Sequence, residues 1–210
     1  MARKFAEIAF TPKVKAVQER NGSRRAYSRL EEGEPTGDRL DEDEIAFIAE
    51  RDGFYLGTVG EGGWPYIQHR GGPRGFLRVL DERTLGFADF AGNRQFITTG
   101  NLDHDGRAFL FLMDYANRRR LKIWVRARVL EAKDASELAE RLAVPGYKAR
   151  IERVFLLTVE AFDWNCLQHI TPRFTVEELG PSVEALGDRI ARLERENGAL
   201  KAASARAAVT

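Results

Sequence analysis

The stretches of this sequence that could do chemistry are polar, rich in glycine or arginine, and placed where β-type runs end. Gln68 to Gly75 reads QHRGGPRG, which sets amide, imidazole and guanidinium groups beside glycines whose bare backbone lets a flat polar ring come close. The same residues also fit a plain solvated loop. Gly92 to Phe96, GNRQF, is a glycine corner leading into a short helix predicted from about Arg94 to Thr99. With Arg94 in its first turn, helix N–H groups and a guanidinium can share one phosphate. Asn117 to Arg120, NRRR, is either a basic hairpin turn or a further phosphate ligand. Trp164 to Arg173, WNCLQHITPR, gathers tryptophan, glutamine, histidine and arginine, enough to cover the face and edge of a conjugated ring.

Familiar catalytic patterns are missing around these stretches. There is no GxSxG, HExxH, GxGxxG or Walker loop, and His69, His104 and His169 are not at metal-ligand spacing, so a hydrolase triad is not expected. Cys166 is the only cysteine, which excludes an intramolecular disulfide and leaves structural zinc without thiolates. Lysine and arginine number 33 against 32 acidic residues, a net charge of +1, and supply no broad basic field for nucleic acid. The first residues, MARKFAEIAF, lack the apolar core of a signal peptide, and nowhere do about 18 uncharged apolar residues run together. The expectation is a soluble cytoplasmic protein, neither secreted nor membrane-spanning. Its 210 residues, 43% of them hydrophobic, suffice for one cored domain with appendages.

A scaffold must hold these strand ends together. Residues 1–40 are poor in apolar pattern, with a basic group at Arg24, Arg25 and Arg29 and an acidic stretch from Glu31 to Pro35, and read as an N-terminal arm and linker. DEDEIAFIAER brings acids to a helix start, with Ile45, Ile48 and Ala49 at helical spacing. From Phe54 onward short β-rich runs follow at hairpin spacing: FYLGTV, WPYIQHR, FLRVL, TLGFAD, RAFLFLMD, LKIWVRARVL and VFLLTVEAF. Along LKIWVRARVL, Leu121, Ile123, Val125, Ala127 and Val129 alternate with Lys122, Trp124, Arg126 and Arg128; such a strand closes a barrel or faces a partner. A second short helix is predicted over Ala135 to Leu142. About six to eight strands with few helices make a mainly β (α+β) chain, a small antiparallel barrel over residues 41–176.

Residues 182–203 differ in kind. Val183, Leu186, Ile190, Leu193, Asn197 and Leu200 follow the 3, 4 spacing of a heptad seam, with Asn197 at an a position. Either the helix packs on its own barrel or it is a dimerising helix in a parallel coiled coil. With Val183 at a, Arg189 and Glu196 fall at g, and Glu194 and Lys201 at the following e, which gives complementary pairs across a dimer. Gly187 and Gly198 each weaken the helix by about 1 kcal/mol against alanine, so the zipper needs a dimeric body.

Taken in order, GWPYIQHRGG, FLRVLDERTLGFADFAGNRQF, GRAFLFLMDYANRRRLKIWVRARVLE and FDWNCLQHITPRF resemble the pyridoxamine 5'-phosphate oxidase-related FMN-binding proteins of the split β-barrel fold. The likeness is strongest to a flavin-nucleotide-binding subgroup with the DWNCxQHITPR ending, and it covers about residues 42–176. It implies a homodimer with FMN in grooves between subunits. By position, the ring-contacting strand falls on Gln68, His69, Arg70, Gly71 and Gly72, and the residues beside the ring on Ala88 and Asp89. The phosphate-binding triplet falls on Asn93, Arg94 and Gln95, a further polar position on Arg120, and the late pair supplied by the other subunit on Trp164 and Arg173, with Gln168 and His169 between them.

The sequence also departs from the family pattern. Gln95 stands where the family carries lysine, and Arg119 or Arg120 would replace the missing cation. Ile170 and Pro172 stand where the oxidase itself grips pyridoxamine phosphate, so that oxidation is not expected. The resemblance then implies an FMN-dependent oxidoreductase acting on a small molecule, with a nicotinamide nucleotide as candidate reductant. A non-catalytic flavin carrier or sensor and a deazaflavin-dependent reductase are the alternatives.

Overall fold

The computed structural model describes residues 3–32, 34–164 and 168–207. Cys166 lies outside the described residues, as do its neighbours Asn165 and Leu167. The chain forms two compact units, Met1–Asp114 with Arg118–His169, and Tyr115–Asn117 with Ile170–Thr210.

The larger unit is built on one antiparallel sheet of seven strands in the order β2-β1-β5-β6-β7-β4-β3. Its strands are β1 (Gly53–Val59), β2 (Pro65–Gly71), β3 (Arg78–Asp81), β4 (Thr84–Phe90), β5 (Arg107–Asp114), β6 (Arg119–Glu131) and β7 (Ile151–Trp164). Each coincides with one of the β-rich runs, because alternation of apolar and polar residues fixes which face of a strand is buried. On β6, Leu121, Ile123, Val125 and Ala127 enter the core, while Trp124 on the opposite face packs 4.7 Å from the ring of Phe109. The sheet is open but curled. Phe54 of β1 lies 5.4 Å from Phe87 of β4, although the two strands are far apart in the sheet order, so the inner faces close on a single apolar core. This is a split β-barrel.

The split follows from strand length. β3 pairs with β4 only from Arg78↔Gly86 to Asp81↔Thr84, so beyond Gly86 β4 runs on with β7 alone as its paired neighbour. Across the gap stands β2, whose ladder is made to β1.

Four helices precede the sheet: α1 (Arg3–Ala9), α2 (Pro12–Arg20), α3 (Arg24–Ser28) and α4 (Glu42–Ala49). The first forty residues, read as arm and linker, thus hold regular structure. Phe5 and Ala6 of α1 are buried, with Phe5 6.2 Å from Trp124; burying such a ring is worth about 2 kcal/mol. The acids before α4 form a capping box between Asp41 and Glu44, as their placement suggested. Its buried face, however, is Glu44, Phe47 and Ile48, whereas Ile45 is exposed. Two more helices, α5 (Ile97–His104) and α6 (Ser136–Leu142), interrupt the strands.

The smaller unit is dominated by α7 (Val176–Ala207), 32 residues long. It begins well before the predicted Ser182 because Thr175 and Glu178 make a capping box: Thr175 Oγ accepts from the Glu178 N–H at 3.1 Å, and the Glu178 carboxylate accepts from the Thr175 N–H at 2.7 Å. Pro181 is carried inside the helix. Among the described residues no helix is long and apolar enough to cross a membrane.

Candidate functional site

Where β4 outruns β3, a pocket of about 210 Å³ opens between β2, the end of β4, the loop into α5 and the start of β7. Strand alternation decides which residues reach it. On β2, Tyr66, Gln68 and Arg70 point into the pocket, while His69 turns to the other face, 5.5 Å from the Tyr55 ring. Asp89 of β4 and Arg153 of β7 are direct cross-strand neighbours.

These charges neutralise one another. Arg70 donates to Asp89 at 2.7 Å, and Arg153 donates to the other oxygen of the same carboxylate at 2.9 Å. The ion pair ties β2 to β4 across the gap. Burial lowers the pKa of Arg70, and the Asp89 carboxylate opposes that shift. Arg70 Nε is buried without a hydrogen-bond partner among the described residues.

The loop from Gly92 to Phe96 supplies the remaining wall. Asn93 accepts from the Gln95 N–H at 3.2 Å, a local turn that folds the loop on itself. Arg94 and Phe96 both take left-handed backbone, with φ of 59° and 55°. The sequence placed Arg94 in the first turn of a helix, but these dihedrals delay α5 to Ile97, so Arg94 precedes the helix. No side chain caps α5, which leaves its first N–H groups free of intrahelical partners at the pocket wall. Arg94 has the Phe96 ring at 5.8 Å and no carboxylate within ion-pair distance among the described residues. Two hydrogen bonds fix α5: Thr98 Oγ donates to Gln68 at 2.6 Å, and Asn101 donates to Thr58 of β1 at 2.9 Å.

The structure therefore brings together Gln68, Arg70, Asp89, Asn93, Arg94 and Gln95, and adds Arg153, Thr98 and Thr99, which sequence reading missed. Other candidates lie elsewhere. Ala88 is buried in a small apolar cluster with Leu142 and Val154. A Cβ on Gly71 would meet the His69 ring at 3.1 Å, and one on Gly72 would meet Phe76 at 2.7 Å, so Gly72 is required by packing. Neither Arg119 nor Arg120 reaches the pocket to replace the lysine absent at Gln95: Arg119 lies 4.6 Å over the Trp164 ring and Arg120 5.8 Å over Phe111. Arg70 and Arg153 line the pocket, but Asp89 and Glu152 take up their charges.

Trp164 packs on α4 of its own chain, 4.8 Å from the Phe47 ring, and its indole N–H donates to Glu44. Desolvation is the main cause that raises the Glu44 pKa. Gln168 and His169 are exposed in a turn, and Arg173 lies 5.1 Å over Tyr115 within the smaller unit. A larger groove of about 570 Å³, apolar in its lining, runs along the outer face past Val59, Ile67, Phe109 and Trp124. None of the sequence candidates lines it. Among the described residues, no group of His, Cys, Asp and Glu side chains gathers to hold a metal ion.

A split barrel whose gap is lined by a glycine corner, an arginine and a polar strand agrees with the order of motifs in the sequence, and a family model decides the matter. The model described as pyridoxamine 5'-phosphate oxidase matches residues 40–164. The chain belongs to the pyridoxamine 5'-phosphate oxidase family. No curated protein matches. Among solved structures, a HupZ protein of Group A Streptococcus shares the fold, with 17% identity over 60% of this chain and 99% of that one and a TM-score of 0.50. An FMN-binding protein from Syntrophomonas wolfei is 13% identical over 70% of this chain and 97% of that one, with a TM-score of 0.45. A Clostridium acetobutylicum protein of the pyridoxinephosphate oxidase family is 15% identical over 67% of this chain and 99% of that one, also at 0.45. Within the family's matched region lie all the pocket residues, from Tyr66 on β2 to Arg153 on β7.

Proposed function

We propose that this member of the pyridoxamine 5'-phosphate oxidase family binds FMN at the barrel split and acts as an oxidoreductase on a small molecule. The observation that carries this reading is the convergence of anion-seeking donors in one pocket: Arg94 without a carboxylate partner among the described residues, Asn93, and the uncapped start of α5. The buried, unpartnered Arg70 Nε is a further donor on a residue that lines the same pocket. These groups suit the phosphate end of FMN. Gln68, whose carbonyl oxygen accepts from Thr98, keeps its amide N–H groups for the polar edge of a ring. When bound, FMN supplies the redox chemistry; this chain binds and orients it.

A volume of about 210 Å³ is below the roughly 300–1,000 Å³ of a complete ligand pocket, so one chain holds only part of the cofactor. A second copy of the chain completes the site. The outer face offers it a surface, with Trp64 81% and Ile67 68% exposed beside the apolar groove.

The experiment is the absorbance spectrum of the purified protein, with and without added FMN. Flavin bands are expected; bleaching of those bands by NADH or NADPH identifies the reductive half-reaction, and their return on adding an electron acceptor identifies turnover. Arg94→Ala retains at most about a tenth of the wild-type flavin, the effect of losing a charge-assisted contact worth ~1.5–3 kcal/mol. A folded protein that neither carries flavin nor takes up added FMN overturns the reading.

A further inference from the structure

The longest helix of the chain carries its apolar residues on the outside. Along α7 they range from 43% exposed at Leu193 to 82% at Val176, a stripe that water meets throughout its length. A Cβ added at Gly180, Gly187 or Gly198 would meet nothing within 4 Å, so no packing contact explains these glycines, and each lowers helix propensity. A helix this long, with three such glycines and an internal proline, needs tertiary or quaternary contacts to hold.

The pattern of the stripe specifies its partner. Beginning α7 at Val176 adds one heptad to the seam visible from residue 183 onward. The a positions become Val176, Val183, Ile190 and Asn197, and the d positions Leu179, Leu186, Leu193 and Leu200. Every apolar a residue is β-branched and every d residue is leucine, the arrangement that favours two parallel strands over three or four. Between parallel copies in register, Arg189 at g meets Glu194 at e, and Glu196 at g meets Lys201 at e. Asn197 then faces its own counterpart, and the amides pair. An antiparallel helix would set Asn197 against an apolar d residue and leave its amide unpaired. Pro181 falls at an f position, opposite the seam, where no layer is lost to it.

We propose that α7 forms a parallel two-stranded coiled coil with α7 of a second copy of this chain, continuous from Val176 to Leu200. This interface draws nothing from the pocket residues and stands independently of the FMN reading.

The test uses the full chain in a Cys166→Ser background, with Leu193→Cys at d and Asp188→Cys at f compared under mild oxidation. The d variant is expected to give a disulfide-linked dimer in a yield roughly tenfold above the f variant, because pairing raises the local thiol concentration into the millimolar range. Equal yields, or no linked dimer from Leu193→Cys, overturn the proposal, as does linkage confined to mixtures with another protein. Ile190→Asp supplies a second readout. It is expected to lower the helical circular dichroism signal and abolish linkage through Leu193→Cys, whereas an unchanged signal means that the stripe has no partner. Flavin content, measured on the same samples, separates failure of this interface from failure of the cofactor site.

Discussion

The polar cluster at the split and the apolar stripe of α7 are two regions whose needs are met in opposite ways. At the split, Asp89 is shared by Arg70 and Arg153, and Gln68 is held by Thr98, so the polar groups of one chain largely satisfy one another. On α7, leucines and valines face water along a helix of 32 residues. The first region is built by strands that meet from distant parts of the chain, the second by one continuous periodic segment. A site assembled within the fold is specified by tertiary contact; an apolar stripe along one helix is specified by repetition.

Substitutions can sharpen that contrast. The largest effect is expected at Leu110, fully buried in the barrel: Leu110→Ala costs about 3 kcal/mol in denaturant unfolding at any protein concentration. Leu186→Ala on the stripe, by contrast, alters stability only in a concentration-dependent way, and a concentration-independent loss there would break the comparison. Asp89→Asn comes next, at about 2 kcal/mol, because two part-buried guanidinium groups then face a neutral amide. The same variant leaves the pocket more positive, so inorganic phosphate, followed by calorimetry, is expected to bind more tightly than to wild type. Gly72→Ala is expected to cost roughly 1 kcal/mol through the clash with Phe76 while leaving the pocket unchanged; loss of flavin in a stable variant would return Gly72 to the site.

The smallest effect is electrostatic and lies at the N-terminal helices. Hydrogen bonds from Arg24 and then Lys15 hold the Glu31 carboxyl at about 2, below its ordinary value of 4.5. A depressed carboxylate stabilises the folded state above its unfolded pKa, and that contribution fades as pH falls from about 4.5 toward 2. Glu31→Gln is therefore expected to flatten the acid limb of a pH–stability curve over that window. An unchanged limb would detach Glu31 from the stability of these helices.

The strands were legible because burial on one face imposes a period of two, as Leu121 to Ala127 show. The helix start at Thr175 also had a signal, the Thr-x-x-Glu box, which lies outside the heptad seam that set the predicted start. The delayed start of α5 had none, since neither Arg94 nor Phe96 is a residue type that announces a left-handed turn. Arg153 is 64 residues from Asp89, and only the pairing of β4 with β7 makes them neighbours. α1 escaped notice for a similar reason: its buried residues, Phe5 and Ala6, gain meaning only against Trp124.

The tie between Arg70 and Asp89 has a consequence for how the barrel moves. Strand neighbours elsewhere in the sheet are laced by backbone amides, whereas β2 and β4 are bridged through the Arg70 side chain, which pairs with Asp89 and lies 6.0 Å over the Phe87 ring. Such a closure depends on one carboxylate rather than on a ladder. Because the pair is largely buried, dissolved salt screens it little, and the expected way to loosen the seam is to remove the carboxylate, as in Asp89→Asn. Amide hydrogens on the outer edge of β2 are expected to exchange with solvent faster than those of β6, which is laced on both sides, and the difference is expected to widen in Asp89→Asn.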